Sequence, residues 1–431
     1  MAVNAHMDIY GSYIYDNSYS NTIWPNLICD HFKILEERMK NKLFNYLESE
    51  KDQMIHMSDY IFDNPEYDSE EYKAMEILTE YLINNDFRVE KGIGGLETAF
   101  RAVYENGING PSIGLLCEYD AIKDIGHACG HHMQGPAIVY AAVALKEAYR
   151  DRPYKLVVYG TPAEETIGGK IIMMENGCFS DIDVALMFHG DPTTSTDIRS
   201  MALSSYKVVF SGKSAHAAMQ PEKGRSALDA LLLAFNAVEF LREHVKEDTR
   251  MQYTVINGGG PDNVVPSEAV GTFTLRSYNR AYLDTIDERF KNILDGAALM
   301  TGTTYKTFAD RPFDSIIPVL KLNDVMMKNA ELVNAPNIRS PREKPGSTDF
   351  ANIMYNIPGS CIRVAFVPEG TPAHSQQFLD AGKSDEAHNA VLTAAKILAV
   401  TCYDLIDDEH LLKDVKEEFI SKKAEMSKQL K

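Results

Sequence analysis

Residues 117–132 read Cys-Glu-Tyr-Asp-Ala-Ile-Lys-Asp-Ile-Gly-His-Ala-Cys-Gly-His-His and lie between a predicted strand and a predicted helix. The apolar run at residues 111–116 is short enough for a buried strand, and residues 137–149 have apolar side chains at helical spacing. The polar stretch therefore follows the carboxyl end of a strand, where open α/β sheets bind their ligands. Its thiol, imidazole and carboxylate groups favour a metal site. A buried structural cysteine beside surface histidines is the alternative.

Two further predicted strands also end in polar side chains that can bind metal. Residues 154–159 lead into Glu164 and Glu165, and residues 183–188 lead into His189. Strands that alternate with helices in this way predict a largely parallel sheet, whose strands share one carboxyl edge. We therefore expect these groups to meet those of the first polar stretch. Adjacent glutamates are usually surface residues and single histidines are usually structural, so the joint pattern carries the prediction.

The order of predicted elements changes after residue 201. A strand, a helix, two strands, a helix and a strand follow, which predicts a small α+β domain with a half-polar sheet. Helix and apolar strand alternate again after residue 312, beginning with a helix predicted at residues 316–332. We therefore predict an N-terminal extension at residues 1–44, a catalytic domain at residues 45–201 and 313–431, and an inserted domain at residues 202–312.

Composition narrows the class of protein. The chain has 431 residues, of which 45% are hydrophobic and 24% charged, and its formal net charge is -19. This acidity argues against a nucleic-acid partner and an anionic membrane surface, because both bind basic faces. Six widely spaced cysteines favour reduced thiols over a disulfide framework. With no secretory signal or membrane-spanning run in the sequence, we expect a cytoplasmic protein.

Seven spaced motifs extend from the first polar stretch to the C-terminal part of the chain. They are EYDA from Glu118, GHACGH from Gly126, GTPAEE from Gly160, SGKSAH from Ser211, NVVP from Asn263, GSTDF from Gly346 and AHS from Ala373. Together they resemble the aminoacylase and glutamate carboxypeptidase family of dimetal peptidases, in its N-acyl-amino-acid amidohydrolase branch. Within that branch, the sequence resembles the p-aminobenzoyl-glutamate hydrolases and the β-alanyl dipeptidases. The resemblance implies an α/β fold: a zinc-peptidase-like catalytic domain with a mixed, largely parallel sheet, and an inserted, ferredoxin-like dimerisation or lid domain.

The resemblance also implies roles for individual residues. It implies two divalent ions, zinc or manganese with cobalt as a further candidate, held by Cys129, His131, Glu165, His189 and His374. Glu164 matches the general base, Asp120 matches the carboxylate beside a ligating imidazole, and His216 matches a lid histidine that reaches an active site, usually the partner subunit's. Asn263 and Arg276 match residues that bind the carbonyl and carboxylate region of the substrate.

We therefore expect a metal-dependent amidohydrolase that cleaves the amide bond of an N-acyl amino acid, a dipeptide or a p-aminobenzoyl-glutamate-like substrate with a free carboxylate. Its nucleophile would be a hydroxide that bridges the two ions, with Glu164 as the base. The alternative is a non-catalytic binding or regulatory relative that recognises acylated amino acids. The lid domain implies a homodimer, with a hetero-oligomer as the other arrangement. His132 departs from the branch, which usually has Asp or Asn at that position.

Overall fold

The computed structural model describes residues 24–342 and 344–428, which form two sheets with their own helices. The helices are α1 Trp24–Ser49, α2 Lys51–Asp63, α3 Tyr72–Asn84, α4 Gln134–Ala148, α5 Gly169–Glu175, α6 Ala227–Arg242, α7 Arg280–Thr301, α8 Leu320–Leu332, α9 Phe350–Asn356, α10 Gln376–Asp380, α11 Asp385–Asp407 and α12 Glu409–Lys428. The strands are β1 Arg88–Lys91, β2 Phe100–Asn106, β3 Ser112–Cys117, β4 Tyr154–Gly160, β5 Val184–Asp191, β6 Ser195–Thr196, β7 Ala202–Ser211, β8 Arg250–Asn257, β9 Glu268–Ser277, β10 Thr304–Ala309 and β11 Gly359–Ala365.

The larger sheet has the strand order β1-β2-β4-β3-β5-β11-β6. Its four central strands β4, β3, β5 and β11 run parallel, and the flanking strands pair antiparallel. Every residue of β3 is buried, because helices such as the alanine-rich α4 pack against the sheet. These features confirm the predicted mixed, largely parallel sheet.

Helix α11 is the one described helix that is long and apolar enough to cross a membrane. Its apolar window is 83% buried inside the protein, where it packs against α4 and α8. A core helix and a membrane span share the same length and composition, and burial identifies α11 as a core helix.

The smaller sheet has the strand order β10-β7-β9-β8 and is antiparallel throughout. Its strands and helices follow along the chain as β7, α6, β8, β9, α7 and β10. The two helices cover one face and enclose a core around Phe273, Phe290 and Leu231. This arrangement confirms the predicted ferredoxin-like fold.

The chain leaves the larger sheet and returns to it side by side. Leu203 on the outgoing strand and Phe313 on the returning segment exchange both backbone hydrogen bonds, at 2.9 and 3.0 Å. The returning segment stays extended until α8 begins at Leu320, so the helix predicted at residues 316–332 was wrong over its first four residues. Helix α1 begins at Trp24, within the predicted extension at residues 1–44, and residues 1–23 lie outside the described part of the chain.

Candidate metal centre

Four parallel strands deliver metal-competent side chains to the same edge of the larger sheet. The loop after β3 carries Cys129 and His131, and the loop after β4 carries Glu164 and Glu165. His189 lies near the end of β5, and the loop after β11 carries His374. The central strands are parallel, so their carboxyl ends coincide and side chains distant in sequence become neighbours.

Two groups of three candidate ligands share Cys129. Its thiol groups with His131 and His189 on one side, and with Glu165 and His374 on the other, with all ligand atoms of a group within 4.8 Å of one another. The Cys129 Sγ lies 3.6 Å from the His189 Nε2, and the His374 Nε2 lies 3.2 Å from the Glu165 Oε1. The structure thus brings together all five side chains that the resemblance implies as ligands.

These separations fit side chains that share an ion. Nitrogen or oxygen ligands about 2.0–2.1 Å from a tetrahedral ion lie roughly 3.3–3.4 Å apart, and a sulfur and a nitrogen ligand lie roughly 3.5–3.6 Å apart. The His374–Glu165 and Cys129–His189 contacts lie close to these values. The donor set of thiol, imidazole and carboxylate suits zinc and other divalent transition metals.

Asp120 orients two of the candidate ligands at once. The His131 Nδ1 lies 3.1 Å from the Asp120 Oδ1, and the backbone N–H of Glu165 donates to the Asp120 Oδ2 at 2.9 Å. A carboxylate at Nδ1 leaves the Nε2 of the imidazole free to face an ion, which is the usual outer arrangement at metal sites.

Burial around the site changes the ionisation of the candidate ligands. It raises the pKa of the Cys129 thiol to about 12, so the thiolate form requires a cation beside it. Burial, with help from Arg363 and His131, lowers the pKa of His189 to about 3 and keeps the ring in the neutral form that binds ions.

Glu164 lies next to the candidate ligands and has a different environment. It forms a third group of close ligand atoms with His131 and Glu165. Burial raises the pKa of Glu164 well above its ordinary value, and the negative charges of Glu118 and Asp349 raise it further. A carboxyl group with a raised pKa beside a metal site is suited to accept and release a proton near neutral pH.

The centre opens into a cavity of about 550 Å³. Cys129, Glu164, Glu165, His189 and His374 all line it. Its other walls include apolar side chains such as Phe313, Met354 and Phe378. A cavity of this size can accept a dipeptide-sized ligand and partly exclude water from it.

Another part of the cavity wall carries a network of two arginines and two aspartates. The Arg363 guanidinium donates to Asp197 at 2.8 Å and to Asp191 at 2.9 Å, and the Arg342 Nε donates to Asp197 at 3.1 Å. Sequence reasoning missed this network, because its members come from β5, β11 and two separate loops and form no linear motif.

The three predicted residues of the inserted unit fall into two places. The Arg276 Nη1 donates to the Ser347 Oγ at 3.1 Å, and Ser347 lines the cavity. His216 and Asn263 are exposed beside one another, joined by the backbone bridge of His216 to Val264, and neither lines the cavity of its own chain. The structure therefore places Arg276 in contact with one residue of the cavity wall, and it leaves His216 and Asn263 away from the cavity.

His132 faces away from the candidate ligands. Its Nε2 lies 2.8 Å from the Gly382 carbonyl oxygen, and its ring packs edge-on against Phe62 with centroids 4.8 Å apart. Burial lowers the pKa of His132 to about 4, so the ring is neutral. The ring of His127 packs beside it, 5.3 Å between centroids. Both rings fill space between the metal loop and α2.

Comparison with known proteins agrees with this architecture. A sequence profile of the peptidase dimerisation domain matches residues 200–300, which contain most of the smaller sheet. The fold resembles a dinuclear metal binding peptidase of the M20 family from Bacillus subtilis, with a TM-score of 0.66, 16% identity, and coverage of 84% of this chain and 99% of that one. It also resembles an aminobenzoyl-glutamate utilization protein from Klebsiella pneumoniae, with a TM-score of 0.63, 19% identity, and coverage of 83% and 98%.

Among the relatives that match most of the chain are two hydrolases. One, from Escherichia coli K12, is a subunit of p-aminobenzoyl-glutamate hydrolase, and it is 29% identical over 86% of this chain and 93% of its own length. The human Xaa-Arg dipeptidase is 32% identical, over 84% of this chain and 88% of its own length. The chain therefore belongs to the M20 family of peptidases and amidohydrolases, and it is a hydrolase of peptide or amide bonds.

Proposed function

We propose that this protein uses two divalent ions to hydrolyse the amide bond of a dipeptide, an N-acyl amino acid or a p-aminobenzoyl-glutamate-like substrate. The observation that carries the proposal is the shared position of Cys129, which belongs to two groups of ligand atoms at once. A thiolate between two ions can serve both, and His131 and His189 on one side and Glu165 and His374 on the other would complete the set. Zinc and manganese are the metals we propose, with cobalt as a further candidate.

Glu164 is the proposed base. When bound, the ions would polarise the substrate carbonyl and lower the pKa of a water molecule. Glu164 accepts a proton from the attacking water and then returns it to the departing nitrogen, so one carboxyl group serves both halves of the reaction. Its raised pKa and its place in the cavity wall support this role.

Hydrolysis of the proposed substrate releases an amino acid that carries a free carboxylate. A Xaa-Arg dipeptide and a p-aminobenzoyl-glutamate, which the names of two relatives specify, both do so. Arg276 is suited to that carboxylate, because the guanidinium donates to Ser347 of the cavity wall and forms no ion pair with an acidic side chain in the described part of the chain. Two parallel hydrogen bonds would fix a planar carboxylate there.

A second copy of the chain supplies His216 and Asn263 in this proposal. Both are exposed on the inserted unit and absent from the cavity of their own chain. The match to a dimerisation domain supports a homodimer. One relative is named as one subunit of a hydrolase, which supports a hetero-oligomer as the second arrangement. The free thiols of Cys117, Cys361 and Cys402 support a cytoplasmic location.

Product identification tests the proposal. Purified protein is stripped of metal with a chelator, reloaded with zinc or manganese, and incubated with a pooled library of dipeptides, N-acyl amino acids and p-aminobenzoyl-glutamate. We expect mass spectrometry to find a free amino acid and its acyl partner in the reloaded samples alone. Absence of cleavage across the library with every metal would contradict the proposal.

A further inference from the structure

A lysine without solvent contact lies beneath the metal centre. Lys170, in the first turn of α5, places its Nζ 2.5 Å from the Glu118 Oε1 and 2.7 Å from the Asp349 Oδ1. All three side chains are at most 1% exposed. With both carboxyl groups ionised, two carboxylates and one ammonium carry one net negative charge among side chains that are shielded from solvent. Burying an unbalanced charge is costly, so a compensating cation is expected close by.

The unbalanced charge faces His131. The second carboxylate oxygen of Glu118, Oε2, lies 3.2 Å from the His131 Nε2. Asp120 holds the other ring nitrogen, so this Nε2 is the atom of His131 left to bind an ion. The 3.2 Å separation is close to the roughly 3.3–3.4 Å between two ligands of one tetrahedral ion. An ion at His131 would therefore lie within reach of Glu118.

Lys170 and Gln134 hold Glu118 in one orientation. Lys170 donates to the Oε1, the Gln134 Nε2 donates to the Oε2 at 2.7 Å, and the Glu118 backbone N–H donates to the Gln134 Oε1 at 3.0 Å. Both oxygens are thus bound, and rotation of the carboxylate would break a buried hydrogen bond.

Asp349 extends this arrangement to the loop that meets the inserted unit. Its Oδ2 accepts the backbone N–H of Lys170 at 3.0 Å, which fixes the start of α5. Two residues earlier, Ser347 accepts the hydrogen bond from Arg276. The contact of Lys170 with Asp349 therefore joins the helix after Glu164 and Glu165 to the segment that carries the proposed carboxylate site.

We propose that Glu118, Lys170 and Asp349 form a buried charge triad that directs the Glu118 carboxylate at the ion on His131 and sets the affinity of that ion. Glu118 is a further metal-facing carboxylate, and Lys170 and Asp349 are positioning residues. The inference rests on the proposed function, because it needs an ion at His131.

Ion affinity in folded protein tests the triad. Metal-free wild type, Glu118→Gln and Asp349→Asn are titrated with zinc against a chromophoric chelator, and circular dichroism verifies the fold of each. We expect Glu118→Gln, which keeps the shape and removes the charge, to bind one of two ions at least about tenfold more weakly. Asp349→Asn should weaken the same ion by a smaller factor of about two to five, since it removes the more distant charge. Lys170→Met should weaken it too, and the two isosteric variants keep the test valid if Lys170→Met does not fold.

Asp287→Asn is the matched control. Asp287 is a buried aspartate of the inserted unit that accepts from Arg280 at 2.7 Å and from Ser204 at 2.8 Å. The same chemical change at that distant ion pair should leave both ion affinities unchanged. Excess zinc should restore the turnover of Glu118→Gln, because its defect is one of ion binding.

The outcomes separate this inference from the proposed function. Folded Glu118→Gln with two wild-type affinities overturns the triad and leaves the proposed function standing. Lower thermal stability of Glu118→Gln and Asp349→Asn with unchanged affinities also overturns it, since the triad would then be structural alone. A wild-type protein that binds no divalent ion overturns the proposed function and the triad together.

Discussion

Two adjacent glutamates in the loop after β4 have different partners. Ala163, just before them, has a left-handed backbone with φ 57°, which turns the chain sharply as it leaves the strand. Glu165 then pairs with His374, while Glu164 groups with Glu118 and Asp349. The two carboxylates also share a group of close ligand atoms with His131, so neighbouring side chains with different further partners can perform different tasks within one site.

Glu164→Gln should abolish most turnover and keep the ions. The amide has the same shape but cannot accept a proton, so we expect kcat to fall about 10²- to 10⁴-fold. Metal content per chain, measured by atomic emission, should equal that of the wild type. Near-normal turnover, or loss of an ion, would rule out the role of base. Unlike Glu118→Gln, this variant should gain no activity from excess metal.

The types of residue that line the site were predictable from the sequence. The buried side chains that hold those residues in position were not. Thiol, imidazole and carboxylate groups fall at strand ends in linear motifs, so the sequence could indicate that they would meet, and their role as ligands stays a prediction. Lys170 gave no such signal. Its partners lie 52 and 179 positions away along the chain, and a lysine at the start of a helix is usually exposed.

At the scale of elements, the start of α8 depends on a distant side chain that the local sequence pattern does not contain. The apolar spacing from residue 316 continued the helical period, but the helix begins only at Leu320. The Glu418 carboxylate of α12 accepts the backbone N–H groups of Leu320 and Lys321, at 3.1 and 3.0 Å. The helix start is thus satisfied by a side chain 98 residues away from Leu320, which no local signal can predict.

The extended segment before α8 contains an aspartate with a perturbed pKa. Burial raises the pKa of Asp314 from 3.8 to about 6, with Arg280 and Lys423 opposing the shift and Asp284 adding to it. The Asn352 Nδ2 donates to its Oδ2 at 3.3 Å. Because the folded state holds this proton more tightly than the unfolded state, the stability contribution of Asp314 falls as pH rises from about 4 to about 6.

Asp314→Asn should remove the loss of folding stability that accompanies ionisation of Asp314. We expect the variant to match the wild type near pH 4 and to exceed its free energy of unfolding by about 1–2 kcal/mol at about pH 7.5. Urea unfolding of metal-free protein at the two pH values measures the difference. Asp310→Asn is the control, because Asp310 is exposed nearby. A stability difference that is the same at both pH values would contradict the assignment.

At the scale of the whole molecule, the inserted unit presents apolar surface. Phe240 on α6 is 69% exposed, and Ile256 on the edge strand β8 is 61% exposed. An open strand edge beside exposed aromatic and aliphatic side chains is suited to pair with another copy. The order of elements was enough to predict this insertion, because a change from βα alternation to a βαββαβ order is visible in the sequence. The arrangement of two copies in a dimer could not be predicted, because no local sequence pattern encodes it.

Mixed dimers test whether His216 acts across subunits. His216→Ala and Glu164→Gln should each be nearly inactive alone. When the two are unfolded, mixed in equal amounts and refolded, we expect about one quarter of wild-type activity, because about half the dimers contain one intact site of two. No recovery, despite mixed dimers on native mass spectrometry, would place His216 in the site of its own chain.

The pairing of Leu203 with Phe313 makes the inserted unit a candidate for removal by protein engineering. Because the outgoing and returning segments are adjacent at these two residues, a turn of a few residues could connect them. The inserted unit could then be deleted without distorting the backbone of the remaining domain. A trimmed chain of this kind would keep every group proposed to hold the ions, yet lack the guanidinium and imidazole proposed to grip the substrate. The inserted unit would thus contribute the proposed substrate recognition, and the remaining domain would contain the proposed metal site. One pair of backbone hydrogen bonds, between Leu203 and Phe313, marks the boundary between them.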